Sequence, residues 1–507
     1  MASTPINSAK PRSAAVNGPL IGALALMGVA LIATISIVWI ENDLGHSFAG
    51  FYLLPWCFAA GACVLGPSVY MYFRGTFDFF HPLTFGAWSY IFPAFIVGGL
   101  IIAFGGVNPY FMTFIEDPEY NLPLSLVYVG IGFVGMTIGF AIPVGGYLAG
   151  KLEPRMPNWQ WQAKDIWLPG VVLLALGIGV NLIGFVQGIM GFQRISEIGV
   201  FDSVLFFLLV LIAVGYTLLW LGVFSAKERS AAYYAVIAIL IAFIPIRLGI
   251  GGSRAGLVIS IIPIAYAFGY SGRKLKARTA AVFGILGVLA LIIGAAYGTA
   301  FRNMKGSEAK VNAGDYIGLV GDTIDYMTAA DPSTLFSDSL QAVADRVENL
   351  SSLGVVVANY EKLAPYEASY GLQDNIVNDA LTSFVPRFVW QDKPNTSDAR
   401  AYSDLYFNYG ENSFAITPFG DLLRNFGPIG VPIGMFFVGL YFRIIYDLLI
   451  KSPTPAMWKK VAYFPLLSAI SFEGFYAVYM PTIIRTLVVV LLSLLIVRLF
   501  TRRVRST

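Results

Sequence analysis

The stretch SFVPRFVWQDKPNTSDARAYSDLYFNYGENSFAITPFGDLLRNFG, residues 383–427, is rich in charged, amide and aromatic residues and ends where the last apolar segments begin. The 507-residue chain around it is 57% hydrophobic and only 12% charged, whereas a soluble domain carries about 25% charged residues. That composition predicts an integral membrane protein. A long polar stretch in such a chain predicts a shaped loop between membrane spans.

The apolar segments predict an all-α fold, a polytopic membrane helix bundle of about twelve spans, each near the ~20 residues that a bilayer requires. The predicted spans are 19–40, 49–73, 82–104, 123–149, 167–190, 201–225, 231–249, 254–270, 280–300, 427–449, 459–479 and 482–499. The chain is thus divided into residues 1–300 with the first nine spans, a loop domain over 301–426, and residues 427–507 with the last three.

Lysines and arginines set the predicted orientation. They precede the first span, follow the even-numbered spans and end the chain. Because such residues mark cytoplasmic loops, both termini are expected in the cytoplasm. The loop over 301–426 is then expected on the outer side of the membrane. In a bacterium this means the periplasm or the cell exterior, with the protein in the inner (cytoplasmic) membrane. A structureless loop of that length is improbable, and Leu335–Leu363 has apolar residues at helical spacing, so we predict a partly helical loop.

The positions of the cysteines and histidines indicate whether the chain could bind zinc. The two cysteines lie in one apolar segment and the two histidines in different short loops, an arrangement that does not suit a zinc site. We expect neither a metal nor another cofactor. The net charge of +3 gives no reason to expect a nucleic-acid partner.

Arginines near membrane depth are candidates for binding an anion. Arg247 and Arg254 lie in IPIRLGIGGSRAGL, residues 244–257. Arginine beside a glycine-rich turn at a helix start suits phosphate, although both side chains could instead extend to the membrane surface. Arg302 follows the ninth span, where either anchoring or binding of an anionic head group would suit it.

The loop before the tenth span combines three kinds of side chain. Its cations are Arg387, Lys393, Arg400 and Arg424; its carboxylates are Asp392, Asp398, Asp404, Glu411 and Asp421; its aromatics and amides are Trp390, Tyr402, Tyr406, Asn408, Tyr409 and Asn412. Cations suit a diphosphate, and aromatic faces with amides and acids suit sugar rings. A solvated loop would also be charged, but this one lacks a Lys/Glu excess. Asp421 and Arg424 are predicted on one helix face at the membrane surface.

Three short motifs carry a family resemblance. These motifs are VPRFVWQDKP (385–394), NSFAITPFGDLLRNFGPIGV (412–431) and GGSRAGL (251–257). They resemble the Pro-Arg-Phe/Leu-Trp signature, its continuation and the earlier Gly-Ser-Arg motif of the Wzy-type oligosaccharide repeat-unit polymerases, which build bacterial O-antigen, capsule or exopolysaccharide. Arg346 stands where many members carry an arginine before the signature. Many members have Gly-Glu where this chain has Gly420-Asp421, so the acid is kept but shortened by one methylene.

The resemblance implies a membrane-embedded glycosyltransferase with a GT-C-like combination of many spans and one large outer loop. A hydroxyl of one undecaprenyl-diphosphate-linked oligosaccharide attacks the anomeric carbon of another, and undecaprenyl diphosphate leaves without help from a metal. Arginines would stabilise the leaving group, and a carboxylate would accept or orient the hydroxyl proton. The expected diphosphate-binding residues are Arg254, Arg387, Lys393, Arg424, Arg247, Arg346 and Arg302. The expected catalytic acid is Asp421, with Asp404 and Glu411 as alternatives, and the expected sugar-binding residues are Trp390, Tyr409 and Asn408.

Two other functions compete with polymerisation. An O-antigen ligase would use the same donor and leaving group, but residues 301–426 contain no histidine to strengthen that resemblance. A flippase or glycan exporter would be favoured by internal repeats, which the sequence lacks. The partners implied by the polymerase resemblance are the lipid-linked oligosaccharide as donor and acceptor, the bilayer, and a flippase and a chain-length regulator.

Overall fold

The structure is a computed structural model that describes residues 50–106, 109–187, 202–251, 256–273, 277–305, 313–331, 347–385, 389–391, 393, 397–410, 414 and 416–506. Its longer helices up to the polar loop are α1 (Leu54–Phe73), α2 (Pro82–Ala103), α3 (Pro118–Ala141), α4 (Pro143–Leu152), α5 (Trp167–Val186), α6 (Asp202–Leu208), α7 (Val210–Ser225), α8 (Ala231–Gly251), α9 (Gly256–Tyr270) and α10 (Ala277–Lys305). From there on they are α11 (Ala313–Ala329), α12 (Leu350–Leu363), α13 (Asn375–Thr382), α14 (Ala399–Phe407), α15 (Pro418–Leu449), α16 (Met457–Leu467) and α17 (Tyr479–Ser506). Within the described ranges there is no strand, so the all-helical prediction is confirmed.

Seven of the described helical stretches are long and apolar enough to cross a membrane. They are Phe51–Phe73, Pro82–Ala103, Pro118–Ala141, Ala163–Val186, Val204–Ser225, Pro418–Leu449 and Tyr479–Thr501. Shorter apolar helices cover Ala231–Arg247, Ser260–Tyr270 and Gly287–Phe301. The chain is therefore a multi-pass membrane protein. The predicted first span, 19–40, lies outside the described residues.

The prediction of a continuous helix over 459–479 is wrong. Helix α16 ends at Leu467, and an 11-residue helix is only about 16 Å long. Residues 468–478 continue as an irregular segment whose apolar side chains, among them Phe472 and Phe475, are buried. Non-helical backbone is tolerated at membrane depth where protein groups satisfy its hydrogen bonds. Here the carbonyl of Glu473 accepts from the backbone N–H of Ile416 at 3.3 Å.

Helices α3 and α15 pack backbone to backbone through glycines. A Cβ atom added at Gly139 would lie 2.0 Å from the carbonyl oxygen of Phe436, and one added at Gly439 would lie 1.9 Å from that of Met136. Small residues at helix interfaces in membranes allow this close approach. The contact holds α15 against α3, and α15 also packs against α12.

Helix α15 is kinked near its start. Gly427 has φ 67° and ψ −168°, a region that only glycine adopts without strain, and Pro428 follows it without a backbone N–H. Before the kink, the helix begins at Pro418 and is capped by Thr417, whose Oγ1 accepts from the N–H of Gly420 at 3.2 Å. The predicted boundary between loop and span at 426 thus falls at a bend inside one helix.

The polar region after α11 is anchored on the bundle. The backbone N–H of Asn349 donates to the carbonyl of Ala94 at 3.0 Å, where α2 is π-helical over Ala87–Val97. The amide of Asn359 donates to the carbonyl of Phe114 at 2.7 Å. A helix was predicted over residues 335–363. Helix α12 corresponds to the last part of it, and residues 335–346 lie outside the described ranges.

Candidate functional site

Three buried charges meet at the first turns of α15. Arg424 Nη2 lies 2.9 Å from Asp421 Oδ1, and Arg424 Nη1 lies 3.0 Å from Glu367 Oε1. The side chains of Arg424 and Asp421 are 0% exposed and that of Glu367 is 7% exposed. Arg424 also donates from Nη1 to the carbonyl of Leu372 at 3.2 Å. The predicted i,i+3 pair on one helix face is confirmed, and one guanidinium faces two carboxylates.

Asp421 connects separate parts of the chain. Its Oδ2 accepts from the backbone N–H of Ala477 at 3.0 Å, and its Oδ1 accepts from the amide of Asn375 at 3.2 Å. The amide of Asn425 donates to Asn375 Oδ1 at 2.8 Å. One carboxylate therefore joins α13, α15 and the irregular segment 468–478. We call the side chains of Glu367, Asn375, Asp421, Arg424 and Asn425 the Asp421 network.

The Asp421 network compensates for the removal of its charges from water. Burying an ion is unfavourable by several kcal/mol, and attraction offsets this only when the remaining lone pairs are also satisfied. Amide and backbone donors supply that satisfaction at Asp421. Burial raises the pKa of Glu367 above its usual value, while the charge of Arg424 and hydrogen bonds from Arg424 and Tyr406 oppose the rise. The network is built to hold elements in fixed positions.

Helix α14 covers the network with one face. The hydroxyl of Tyr406 donates to Glu367 Oε1 at 3.0 Å, and the ring of Tyr402 lies 5.8 Å from that of Phe475 in an edge contact. Asp398 caps the helix by accepting from the N–H of Arg400 at 2.8 Å. Sequence reasoning placed both tyrosines among aromatics that could stack on sugars, but both are buried.

The opposite face of α14 brings together three predicted site residues. Asp404, Asn408 and Tyr409 are exposed. Asn408 ends the helix in a left-handed conformation, φ 51°, and its N–H donates to the carbonyl of Asp404 at 2.9 Å. The ring of Tyr409 lies 6.4 Å from that of Tyr110, whose hydroxyl donates to the carbonyl of Phe407 at 2.5 Å. A carboxylate, an amide and two aromatic rings are therefore accessible beside one another.

The other predicted cations do not join the Asp421 network in the described part of the chain. Lys393 donates from Nζ to the carbonyls of Thr382, at 2.8 Å, and Val385, at 3.4 Å, at the end of α13. Trp390 is exposed in the same turn. Arg247 lies half-buried near the end of α8, and Arg302 lies on α10. Four predicted site residues fall outside the described residues: Arg254, Arg346, Arg387 and Glu411.

Sequence reasoning missed three of the five side chains of the Asp421 network: Glu367, Asn375 and Asn425. Glu367 and Asn375 are 46 or more positions from Asp421, and no spacing rule connects them to it. The N–H of Ala477 was not considered as a donor to Asp421, because the segment around it was predicted to be helical. Asn425 alone gave a usable signal, because it follows Arg424 inside the polar helix start PFGDLLRN.

A second buried polar cluster lies at the other end of α15. Asp78 Oδ2 accepts from the hydroxyl of Tyr270 at 2.5 Å, and its Oδ1 accepts from the N–H of Phe80 at 2.9 Å. Lys460 donates from Nζ to the carbonyl of Tyr270 at 2.7 Å, and the hydroxyl of Tyr463 donates to the carbonyl of Phe80 at 2.7 Å. Burial raises the pKa of Asp78. We call this the Asp78 cluster.

Comparison of the chain with protein-family models, with curated proteins and with solved structures gave no match. The chemistry of the site must therefore be inferred from its own geometry. Both oxygens of Asp421 already accept hydrogen bonds from buried donors, whereas the carboxylate of Asp404 is open to a ligand. Within the described ranges, no three His, Cys, Asp or Glu side chains are placed to hold a metal ion.

Proposed function

We propose that the chain is a Wzy-type oligosaccharide repeat-unit polymerase that transfers glycan between undecaprenyl-diphosphate-linked substrates. The observation that carries the proposal is the position of Asp421 and Arg424. The pair from the motif PFGDLLRNFG forms a buried network directly behind α14, and the outer face of α14 presents a carboxylate, an amide and an aromatic ring. A site for sugars backed by a rigid ion network suits transfer between two large glycans.

The geometry assigns different roles to the two predicted acids. We infer that Asp421 positions α13, α14 and the irregular segment, because its oxygens are occupied and it is wholly buried. Asp404 is then the candidate base. The acceptor hydroxyl forms a bond to the anomeric carbon of the donor while its proton passes to the carboxylate of Asp404. The bond from that carbon to the diphosphate breaks, and undecaprenyl diphosphate leaves with the electron pair.

The leaving diphosphate needs cations that the Asp421 network does not offer. Arg424 is committed to Asp421, Glu367 and a backbone carbonyl. We therefore propose Arg254 and Arg387 for the diphosphate, with Arg247, Arg302 and Arg346 as further candidates. We also propose the twelve-span, GT-C-like topology with cytoplasmic termini in the bacterial inner membrane, which places this site in the periplasm beside a polyprenyl carrier.

Purified protein in nanodiscs tests the proposal. The substrate is lipid-linked repeat unit extracted from a strain that lacks this protein, and the readouts are the ladder of glycan lengths and the released undecaprenyl diphosphate. We expect a ladder with wild type and almost none with Asp404→Asn. Asp325→Asn on α11, an equally conservative change of an exposed aspartate, is the matched control and should leave the ladder intact.

Other outcomes identify the competing functions. Transfer of preformed polymer to a non-polyprenyl acceptor, without elongation, would make the chain a ligase. Movement of the lipid-linked oligosaccharide across proteoliposomes without any transfer would make it a transporter. A ladder that Asp404→Asn leaves unchanged would keep the polymerase but remove Asp404 from its chemistry.

A further inference from the structure

Helix α13 turns polar side chains and Ile376 toward the protein and presents its other large apolar side chains outward. On the inner side, Asn375 donates to Asp421, and Asp379 accepts from the hydroxyl of Ser397 at 2.5 Å. On the outer side, Val377 is 43% exposed and Leu381 is 73% exposed. An amphipathic helix on a water-facing surface turns its apolar face toward the core. The reversed arrangement indicates that the outer surface of α13 is not in contact with water.

The apolar surface continues beyond the helix. Phe384 is 68% exposed, and Val389 and Trp390 are also exposed. Lys393 holds this turn against the end of α13, because its Nζ donates to carbonyls of Thr382 and Val385. The side chains of Val377, Leu381, Phe384, Val389 and Trp390 are therefore gathered within one short part of the chain, which we call the apolar patch. Patches of this kind on a protein surface mark an interaction site.

The patch adjoins a helix that faces lipid. Helix α13 packs against α17, which is long and apolar enough to span the membrane over Tyr479–Thr501 and exposes Met480, Leu487 and Leu491. The outward side chains of α13 thus continue a lipid-facing surface. Tryptophan is enriched where hydrocarbon meets the head groups, and Trp390 supplies one at the end of the patch.

We propose that the apolar patch inserts into the surrounding bilayer, with lipid acyl chains covering Leu381 and Phe384 and with Trp390 at the level of the head groups. Interfacial elements of this kind enter only the shallow part of a leaflet. The α13 region would then be held from two sides, by the Asp421 network within the protein and by lipid outside it. This inference does not depend on the proposed glycosyl transfer.

Site-specific fluorescence tests the insertion. In a Cys57→Ala, Cys63→Ala background, single cysteines replace Leu381 or Phe384, are labelled with bimane, and the protein is reconstituted in phosphatidylcholine nanodiscs. Some discs carry a nitroxide lipid with a shallow label, and iodide serves as the water-borne quencher. Leu491→Cys on α17 is the lipid-facing control and Ala368→Cys, at an exposed position outside the patch, is the water-facing control.

We expect nitroxide quenching at Leu381→Cys and Phe384→Cys to be several-fold stronger than at Ala368→Cys and close to that at Leu491→Cys, with the opposite order for iodide. Strong iodide quenching at both sites would overturn the proposal. So would protection from both quenchers together with cross-linking between copies, since that result means a protein interface. Brominated lipids provide a second test with the native cysteines, because wild type should lose more tryptophan emission than Trp390→Phe.

Discussion

A buried carboxylate lies at each end of α15, and different partners stabilise the two carboxylates. At the start of the helix, Asp421 pairs with the guanidinium of Arg424 at 2.9 Å and accepts from a backbone N–H and an amide. At the other end, the described partners of Asp78 are a phenol and a backbone N–H. The ring of Tyr270 lies 4.8 Å from that of Tyr266, and the cation of this cluster, Lys460, donates to the carbonyl of Tyr270.

The difference between the two clusters follows from the structural elements that each end of α15 connects. The Asp78 cluster links the short connection after α1 to α9 and α16, elements that pack side by side through aromatic rings. The Asp421 network links α15 to α13 and to the irregular segment 468–478, which offer an amide donor and a backbone N–H donor. Hydrogen bonds to charged groups are shorter and roughly twice as strong as neutral ones, and they are directional. Under the proposed function, we expect the Asp421 end to be the one that shapes the substrate site.

Removal of Arg424 should have the largest effect. Arg424→Ala leaves Asp421 and Glu367 buried without their cation, and breaking a buried pair in this way costs about 3–5 kcal/mol. The midpoint of thermal unfolding in detergent, followed by the reaction of buried Cys57 with a thiol-reactive dye in a Cys63→Ala background, should fall steeply. Arg443→Ala, at the other end of α15, is the matched control, because the Arg443 side chain is 26% exposed beside Asp447. Equal losses in the two variants would remove the distinction between the two ends.

The Asp78 cluster should tolerate change with a smaller loss and without loss of function. Tyr270→Phe removes a hydrogen bond to a buried carboxylate, worth about 1.5–3 kcal/mol, and should lower the unfolding midpoint. Tyr266→Phe removes a hydrogen bond to the carbonyl of Lys460, a neutral acceptor, and should cost about 1 kcal/mol. Glycan ladders should be normal in both variants once the protein is folded. A shortened ladder with Tyr270→Phe would show that both ends serve the reaction.

The sequence was sufficient for those features that depend on local spacing. The seven helices that are long and apolar enough to cross a membrane follow from their apolar runs, and the contact of Asp421 with Arg424 follows from their separation of three residues on a helix. The inward-facing tyrosines of α14 were assigned to the wrong environment, because a tyrosine suits a sugar-binding surface and a buried hydrogen bond equally well. Their burial depends on where α14 packs, which its sequence does not state.

Long-range contacts and broken helices could not be predicted from the sequence. The hydrogen bond between Ala477 and Asp421 joins residues 56 positions apart, and Glu367 reaches Arg424 from before α13. The irregular segment 468–478 is apolar enough to be predicted as part of a span, because composition does not distinguish a buried irregular backbone from a helix. Partners from the loop region and α15 satisfy part of its non-helical backbone.

Separation of α3 from α15 should weaken both ends together. Gly139→Ala places a Cβ atom 2.0 Å from the carbonyl of Phe436, and overpacking of this kind costs about 1–3 kcal/mol. Gly130→Ala on the same helix is the matched control, since a Cβ atom there meets nothing within 4 Å. The unfolding midpoint should fall for Gly139→Ala and stay unchanged for Gly130→Ala. A stable Gly139→Ala variant would mean that α15 is held by its two polar ends rather than by its contact with α3.

The smallest expected effect on stability is the most informative about function. Tyr406→Phe removes the hydroxyl that donates to Glu367, while Arg424 still pairs with that carboxylate, so the loss should be about 1 kcal/mol. Tyr402→Phe, one turn away on the same face of α14, is the matched control. Among the described residues the hydroxyl of Tyr402 has no hydrogen-bond partner, so its removal should be neutral or slightly stabilising. Because the Tyr406 hydroxyl connects α14 to the Asp421 network, we expect Tyr406→Phe to shorten the glycan ladder although the protein remains folded, and Tyr402→Phe to leave it unchanged. If the two variants give the same ladder, the network stabilises the fold without positioning α14. In that case the Asp421 network contributes no more to the reaction than the Asp78 cluster does.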